Sequence, residues 1–337
     1  MLGFLQKHIG KPRIYGFDHA VLNMQLPPTM WMNAGYWEST DDFPQACQAL
    51  LDQVLAAGLL TDPSKSIRVL DAGCGCGDQS LYLASLKRNP TPVTEASGSE
   101  IDTSQSTNAA PRHRTAPVSS LPLIDTYIGI TLEPSQVLLA KQRMQSIDHG
   151  SEKTSTATQP RVFCANAADP TSWSGDLQRS VTGLAATSQN PDTSTWLLAL
   201  DAMYHFRPSR FPLLKLAHST LHASFMAFDL ILSDDVSWYQ RLILRFVCWV
   251  SGSPYTNFIS QAEYLRLLGT AGYDSSRVEI RDISRHVFTG LADFLGRRTE
   301  EGEPFGLKMT RYKVARVVFQ WWATSGIVRG VVVVAKQ

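Results

Sequence analysis

A strand that ends in a glycine turn and runs straight into a helix is the feature that most constrains the fold of this 337-residue chain. Residues 69–78 read Val-Leu-Asp-Ala-Gly-Cys-Gly-Cys-Gly-Asp, so an apolar run reaches Asp71 and then the alternating glycines Gly73, Gly75 and Gly77. A helical pattern follows over residues 80–86. Glycine lets the backbone approach a bound molecule closely, and a helix start presents unpaired N–H groups to it. The pattern predicts a ligand-binding strand–turn–helix unit; an ordinary glycine turn is the alternative.

The spacing of these glycines narrows the choice of ligand. A dinucleotide fold uses Gly-x-Gly-x-x-Gly, and a nucleoside triphosphate loop needs a Gly-Lys pair before Ser or Thr. Here the pattern is Asp-x-Gly-x-Gly-x-Gly, from Asp71 to Gly77. It resembles the first motif of the class I S-adenosylmethionine (AdoMet)-dependent methyltransferases. That resemblance implies that Asp71 and the three glycines lie under the methionine part of AdoMet, which becomes S-adenosylhomocysteine when the methyl group leaves.

Charge and cysteine content exclude several other classes of protein. The net charge is +1, from 31 Lys and Arg against 30 Asp and Glu, whereas a nucleic-acid groove needs a basic excess. Five cysteines, an odd number, predict reduced thiols in a cytoplasmic protein. Cys74 and Cys76 stand too close together for a zinc site, so we expect no metal. The amino terminus lacks the apolar core of a signal peptide, and no run of 18 apolar residues predicts a membrane span.

Strands and helices alternate along most of the chain. We expect strands at residues 67–71, 124–132, 161–165, 195–200, 223–232, 277–282 and 328–335, and helices at 45–60, 134–147, 238–250 and 261–273. This order predicts an α/β protein with a Rossmann-like, doubly wound, mostly parallel seven-stranded sheet, a helical cover and polar loop insertions.

Ser, Thr, Pro and Ala dominate residues 88–122, and shorter polar stretches lie near 149–160 and 180–195. Such stretches bury too little apolar surface to order themselves, so we expect solvated loops, with regulatory elements as the alternative. We predict a lid or cap at residues 1–45 and a methyltransferase domain at 46–337, which includes the insertion at about 88–122 and a cover insertion at about 233–265.

The resemblance extends over roughly residues 31–294, leaving out the polar insertions, and is nearest to the sterol, tocopherol, phosphoethanolamine and cyclopropane-type branch. It implies that Thr131 and Gln136 contact the ribose of AdoMet, with Glu133 as an alternative. Pro134 also suits a plain helix start. Asn166 and Ala167 align with the Asp-Ala step beside the adenine. Asn166 departs from that pattern because an amide replaces one acceptor oxygen, and Asp169 is the alternative contact.

Asp201 and His205 close the fourth strand, where the resemblance places the reactive methyl group. Asp201 is assigned to the cofactor. A histidine stands at the same spacing in phosphoethanolamine-type enzymes, which implies that His205 helps to deprotonate the acceptor. The pKa of histidine suits that task. A structural histidine that holds the following loop is the alternative.

The stretch from Met30 to Trp37 is similar to the lid motif of the same branch. Tyr36 and Trp37 would cap the cofactor, because a sulfonium favours an aromatic face. An aromatic staple in the core is the alternative. Tyr15, assigned with His205 to catalysis, and Asp18 would reach the acceptor.

These features predict an enzyme (EC 2.1.1.-), a transferase of lipid or secondary metabolism that methylates a small, apolar or lipid-like acceptor and binds no nucleic acid. Three alternatives remain open: a methyltransferase for protein or RNA, a non-catalytic AdoMet-binding subunit, and cyclopropane formation on acyl chains. The aromatic residues of 238–250, with interleaved Arg241 and Arg245, suit a bulky apolar substrate, peripheral contact with a membrane, or a cover helix packed on the domain.

Overall fold

The computed structural model describes residues 29–58, 66–87, 122–148, 160–187 and 193–337. Within them, seven strands form one sheet in the order β3-β2-β1-β4-β5-β7-β6. The first five strands run parallel, whereas β7 pairs antiparallel with both β5 and β6. The strands are β1 Ser66–Ala72, β2 Ile124–Thr131, β3 Arg161–Cys164, β4 Thr193–Leu200, β5 Ser224–Leu232, β6 Val278–Asp282 and β7 Val328–Ala335. The predicted fold class and all seven predicted strands are confirmed, with ends that shift by one or two residues.

Nine helices of four residues or more flank this sheet in the described residues. They are α1 Phe43–Gly58, α2 Asp78–Ser85, α3 Pro134–Asp148, α4 Gly175–Thr187, α5 Phe211–Ser219, α6 Trp238–Ser251, α7 Gln261–Ala271, α8 Phe288–Gly302 and α9 Thr310–Ser325. Short 3₁₀ turns connect several of them, including Met203–His205 and Tyr255–Asn257.

One polar stretch is not the loop that its composition predicts. Residues 180–187 belong to α4. Leu177, Val181 and Leu184 recur at helical spacing and are buried against the sheet. That prediction was wrong because three well-placed apolar residues suffice to dock a helix whose other residues are polar. The polar stretches at 88–121 and 149–159 lie outside the described residues.

The core consists of two layers, one on each face of the sheet. Alternate residues of β4 divide between them: Trp196 and Leu198 pack with α1, whereas Leu197 and Ala199 pack with α4 and α5. A strand buried on both faces reads as a continuous apolar run, which is why β4 was recognisable. The carboxyl ends of β1, β2, β4 and β5 therefore share one edge, where ligands bind in such sheets. No helix in the described residues is long and apolar enough to cross a membrane.

Candidate active site

The turn between β1 and α2 has the backbone that its glycines predict. Gly73, Gly75 and Gly77 have φ values of 113°, 57° and 90°, a region that other residues rarely adopt. The N–H groups of Gly73 and Cys74 donate to the carbonyl oxygen of Ile130, at 2.8 and 3.1 Å, and so fasten the turn to the end of β2.

The three glycines meet different surroundings. A Cβ on Gly77 would lie 3.0 Å from the Cβ of Ala140, so this glycine lets α3 approach the turn. A Cβ on Gly75 would meet no protein atom within 4 Å. Packing against the described residues therefore does not explain a glycine at position 75. The turn has open space there.

Asp71 lies beneath the turn and is fully buried. Its Oδ2 accepts hydrogen bonds from Gln79, at 2.6 Å, and from the hydroxyl of Tyr127, whereas its Oδ1 has no partner among the described residues. Burial raises the pKa of Asp71 to about 7, although the two hydrogen bonds oppose the rise. Asp71 supports the turn through Gln79, which belongs to α2.

An ion pair that the sequence analysis missed clamps the same turn. Arg143 of α3 donates from both of its terminal nitrogens to Asp78, at 2.7 and 2.8 Å, and also to the carbonyl oxygen of Cys76, at 3.1 Å. Oδ1 of Asp78, which accepts one of these two bonds, also accepts the N–H of Met30 at 2.9 Å. Asp78 therefore joins the glycine turn, α3 and the amino-terminal segment. No local signal marks Arg143, because 65 residues separate the partners.

The residues assigned to the ribose and the adenine lie at the ends of β2 and β3. The hydroxyl of Thr131 donates to the side-chain oxygen of Gln136 at 2.5 Å, so these two residues form one polar pair; Glu133 is exposed beside it. Asn166 is exposed and its side-chain oxygen accepts the N–H of Ala168 at 3.0 Å, next to the buried Ala167. Asp169 caps a 3₁₀ turn by accepting from Thr171.

Asp201 occupies the end of β4 in a strained conformation. Its φ of 56° is uncommon for a residue with a side chain. One carboxylate oxygen accepts the N–H of Ala34 at 2.8 Å, while the other is buried without a partner in the described residues. Burial raises the pKa of Asp201 to about 7, and hydrogen bonds from Tyr204 and Ala34 oppose the rise. The predicted lid segment is thus attached to the end of β4.

Tyr36 and Trp37 follow this attachment but contact other parts of the protein. The ring of Trp37 packs against Phe43 and Phe294, with centroids 6.2 and 5.3 Å away, and its Nε1 donates to the carbonyl oxygen of Ala34. These contacts are typical of an aromatic staple in the core. The ring of Tyr36 lies 4.9 Å from that of His286. Tyr15 and Asp18 lie outside the described residues.

His205 stands on a loop that a second segment holds in place. Its Nδ1 lies 3.1 Å from the hydroxyl of Ser253. The side-chain nitrogen of Asn257 donates to the carbonyl oxygens of Tyr204 and Phe206, at 3.2 and 2.6 Å. His205 is open to solvent on one side, and burial of the rest of its ring lowers its pKa below the usual 6.5. The lowered pKa favours the neutral imidazole that a general base requires.

A buried ion pair supports that second segment. Arg210 binds both Asp229 of β5 and the carbonyl oxygen of Asn257, and Tyr264 donates to the same carboxylate at 2.9 Å. Both charged groups are buried, so each depends on the other. No local sequence pattern marks this network, in which Arg210 and Asn257 alone lie 47 residues apart.

The described residues contain no cluster of three His, Cys, Asp or Glu side chains that could hold a metal ion. The site combines a glycine turn with open space, two buried carboxyl groups and a histidine along one edge of the sheet.

Comparison with known proteins supports the fold. No family model and no curated protein match the chain. Among solved structures, mycolic acid cyclopropane synthase CmaA1, in complex with SAH and CTAB, aligns with a TM-score of 0.58 and 14% identity over 93% of this chain and 92% of that one. The cyclopropane synthase MmaA2 from Mycobacterium tuberculosis aligns at 0.55 and 14% over 92% of each chain. The cyclase SpnF aligns at 0.53 and 15% over 90% of this chain and 87% of that one. The chain therefore has the Rossmann-like fold of AdoMet-dependent methyltransferases, as its sequence predicts.

Proposed function

We propose that this chain is an enzyme that transfers a methyl group from AdoMet to a small, apolar or lipid-like acceptor. The observation that carries the proposal is the open space over Gly75, in a turn whose two other glycines are explained by packing. The φ of 57° favours glycine at position 75, and the absence of any protein atom beside it leaves room for a bound cofactor. CmaA1, which shares the fold, was solved with SAH.

Several residues on this sheet edge would hold AdoMet. Asp71 and the glycines would face its methionine part, the Thr131–Gln136 pair its ribose, and Asn166 with Ala167 its adenine. Asp201 has a buried oxygen without a partner among the described residues, which suits a ligand that donates hydrogen bonds. Tyr36 and Trp37 would border the site through the attachment of their segment to Asp201. When bound, AdoMet supplies an electrophilic methyl group on a sulfonium.

His205 is proposed as the general base. Methyl transfer would join the methyl carbon to an oxygen, nitrogen or carbon of the acceptor as its bond to sulfur breaks, and one proton would then have to leave the methylated acceptor. A neutral imidazole whose Nδ1–H donates to Ser253 would accept this proton at Nε2. His205→Ala should lower turnover about a hundredfold and leave AdoMet affinity unchanged. Unchanged turnover would assign His205 a structural role. The catalytic assignment of Tyr15 remains a prediction.

A pair of matched glycine substitutions tests the cofactor site. Gly75→Ala adds a methyl group that meets no described protein atom, so the fold should survive. Gly306 is the control, because its φ of 73° is similar and a Cβ there also meets nothing within 4 Å. Titration calorimetry should show AdoMet affinity at least about tenfold weaker for Gly75→Ala and unchanged for Gly306→Ala. Equal affinities in the two variants would refute the site.

A second candidate is AdoMet binding without methyl transfer. SpnF has the same fold and is named a cyclase, so this fold alone does not decide the reaction. A transfer assay with methyl-labelled AdoMet and an extract of the source cells separates the candidates. Label in the organic phase supports an apolar acceptor. Label on protein or RNA supports a macromolecular acceptor, and binding with no transfer supports the non-catalytic candidate. A cytoplasmic location belongs to the same proposal.

A further inference from the structure

Helix α6 exposes most of its large apolar side chains. Only Leu244 and Cys248 of this helix are buried. Trp238 is 74% exposed, Phe246 63% and Trp249 78%. Tyr239 and Leu242 are also exposed on the side opposite Leu244. We call the set Trp238, Tyr239, Leu242, Phe246 and Trp249 the aromatic face. Single exposed apolar residues are ordinary, but a continuous face of this size marks an interaction surface.

Helix α6 is capped at both ends, so the exposure of these side chains does not result from fraying. Gln240 accepts the N–H of Ser237 at 3.1 Å and caps the first turn. Gly252 ends the helix with a φ of 76°. Its carbonyl oxygen accepts a hydrogen bond from Arg207, which belongs to the loop that carries His205. This hydrogen bond therefore links the end of α6, which carries the aromatic face, to the loop that carries the proposed base.

The charged side chains within α6 are all positive, whereas the exposed Asp234 and Asp235 precede the helix and Glu263 lies in α7. Arg241 and Arg245 flank the aromatic face, both exposed, and residues 236–262 contain no Asp or Glu. Residues 304–337 also contain no acid, and they contain six Lys and Arg. These two stretches together contribute +8 to a chain with a net charge of +1, so the remainder carries −7. Lys336 follows the end of β7 that is far from α6, and Lys313 pairs with Glu303, so Arg241 and Arg245 are the cations nearest in sequence to the aromatic face.

We propose that α6 docks this protein on an anionic lipid surface through the aromatic face. Trp and Tyr favour the boundary between head groups and acyl chains, and Trp238 and Trp249 would mark the two ends of the contact, about 16 Å apart along the helix axis. The long side chains of Arg241 and Arg245 reach from the flank to lipid phosphates. A bilayer accepts such a convex helix face, whereas a second protein would need a complementary groove. Only the reason for docking rests on the proposed function: an apolar acceptor dissolves in the bilayer, so a docked enzyme would meet it there.

Co-sedimentation of the full chain with vesicles tests this proposal. Vesicles of phosphatidylcholine alone are compared with vesicles that also contain phosphatidylserine. We expect binding that is strongest with phosphatidylserine and falls as salt rises. The double variant Phe246→Ser with Trp249→Ser should bind at least about tenfold more weakly, because it removes two side chains that would enter the bilayer. Its thermal unfolding should match the wild type, since both side chains are exposed.

Two further variants complete the test. Leu138→Ser is the matched control, because Leu138 is 71% exposed on α3, near the opposite edge of the sheet; it should bind like the wild type. Arg241→Gln with Arg245→Gln should weaken binding to phosphatidylserine vesicles about tenfold and leave the weaker binding to phosphatidylcholine unchanged. Absence of vesicle binding, or equal binding by the double serine variant, would overturn the proposal. A dimer that the double serine variant dissociates would assign the face to a second copy. AdoMet titration is independent of these results, so failure of the docking proposal and failure of the proposed function remain distinguishable.

Discussion

Gly73 lies so close to Ala202 that a Cβ on the glycine would stand 2.7 Å from the Cβ of Ala202. Real Cβ atoms do not approach each other to this distance. The contact joins the turn after β1 to the residue that follows Asp201 at the end of β4. It fixes the two neighbouring strand ends on which the proposed site is built.

Gly73→Ala should therefore destabilise the folded protein and not only weaken the binding of a ligand. The new methyl group clashes with Ala202, and a φ of 113° is unfavourable for alanine. We expect the free energy of unfolding to fall by about 2–4 kcal/mol in urea titrations. Gly269→Ala is the control: a Cβ inside α7 meets no atom within 4 Å, so it should raise stability by about 0.5–1 kcal/mol. Equal stability of Gly73→Ala and the wild type would contradict the close contact.

Arg143→Met should weaken both the fold and AdoMet binding. The substitution leaves the buried carboxylate of Asp78 without its bidentate partner and frees the carbonyl oxygen of Cys76 in the turn. We expect a loss of about 2 kcal/mol in the free energy of unfolding, and weaker AdoMet binding in calorimetry. The comparison variant is Arg179→Met, which breaks an exposed ion pair with Asp176 and should cost less than about 0.5 kcal/mol. Similar losses in both variants would show that the clamp on the turn has no special role.

The sheet could be predicted because its signals are local. Each central strand is a short apolar run between polar stretches, and the glycine turn occupies only seven residues from Asp71 to Gly77. Burial on both faces forces this composition on the chain, so the strands were found to within a few residues. Helix α4 was missed because only three of its residues reach the core.

The groups that hold the site together could not be predicted for a different reason. Arg143 pairs with a residue that precedes it by 65 positions, and Arg210 reaches the backbone of Asn257, 47 positions later. Neither arginine stands in a local pattern that distinguishes it from a solvated surface residue. Their partners are defined only when the parallel strands bring distant loops to one edge. The tilted ring contact between Tyr36 and His286, residues of two distant segments, is of the same kind.

Asp201→Asn should change how stability depends on pH. Burial raises the pKa of Asp201 to about 7, above the ordinary 3.8, so the folded state favours the protonated carboxyl. Its contribution to stability is complete below about pH 4 and is lost as the pH rises through 7. Asparagine stays neutral and tolerates the positive φ of this position. The stability of the variant relative to the wild type should therefore rise from pH 4 to 7 by about 4 kcal/mol, measured by urea unfolding. Parallel curves for the two proteins would contradict the raised pKa.

Ser253→Ala should lower turnover by acting through His205. The hydroxyl of Ser253 lies 3.1 Å from Nδ1 of the imidazole, and this is the ring's only hydrogen bond to the residues that the structure describes. Without it the imidazole loses the contact that orients Nε2 toward an acceptor, so we expect kcat to fall about tenfold, less than for His205→Ala.

The pH profile of the same variant separates a positioning role from a structural one. Activity of the wild type should decline as the pH falls through the pKa of His205, which burial holds below 6.5. An oxygen that accepts the Nδ1–H stabilises the imidazolium, so its loss should move this acidic limb to still lower pH. Ser253→Thr keeps a hydroxyl and should restore both kcat and the limb. A fall in kcat with an unmoved limb and no rescue by threonine would mean that Ser253 only packs beside the histidine.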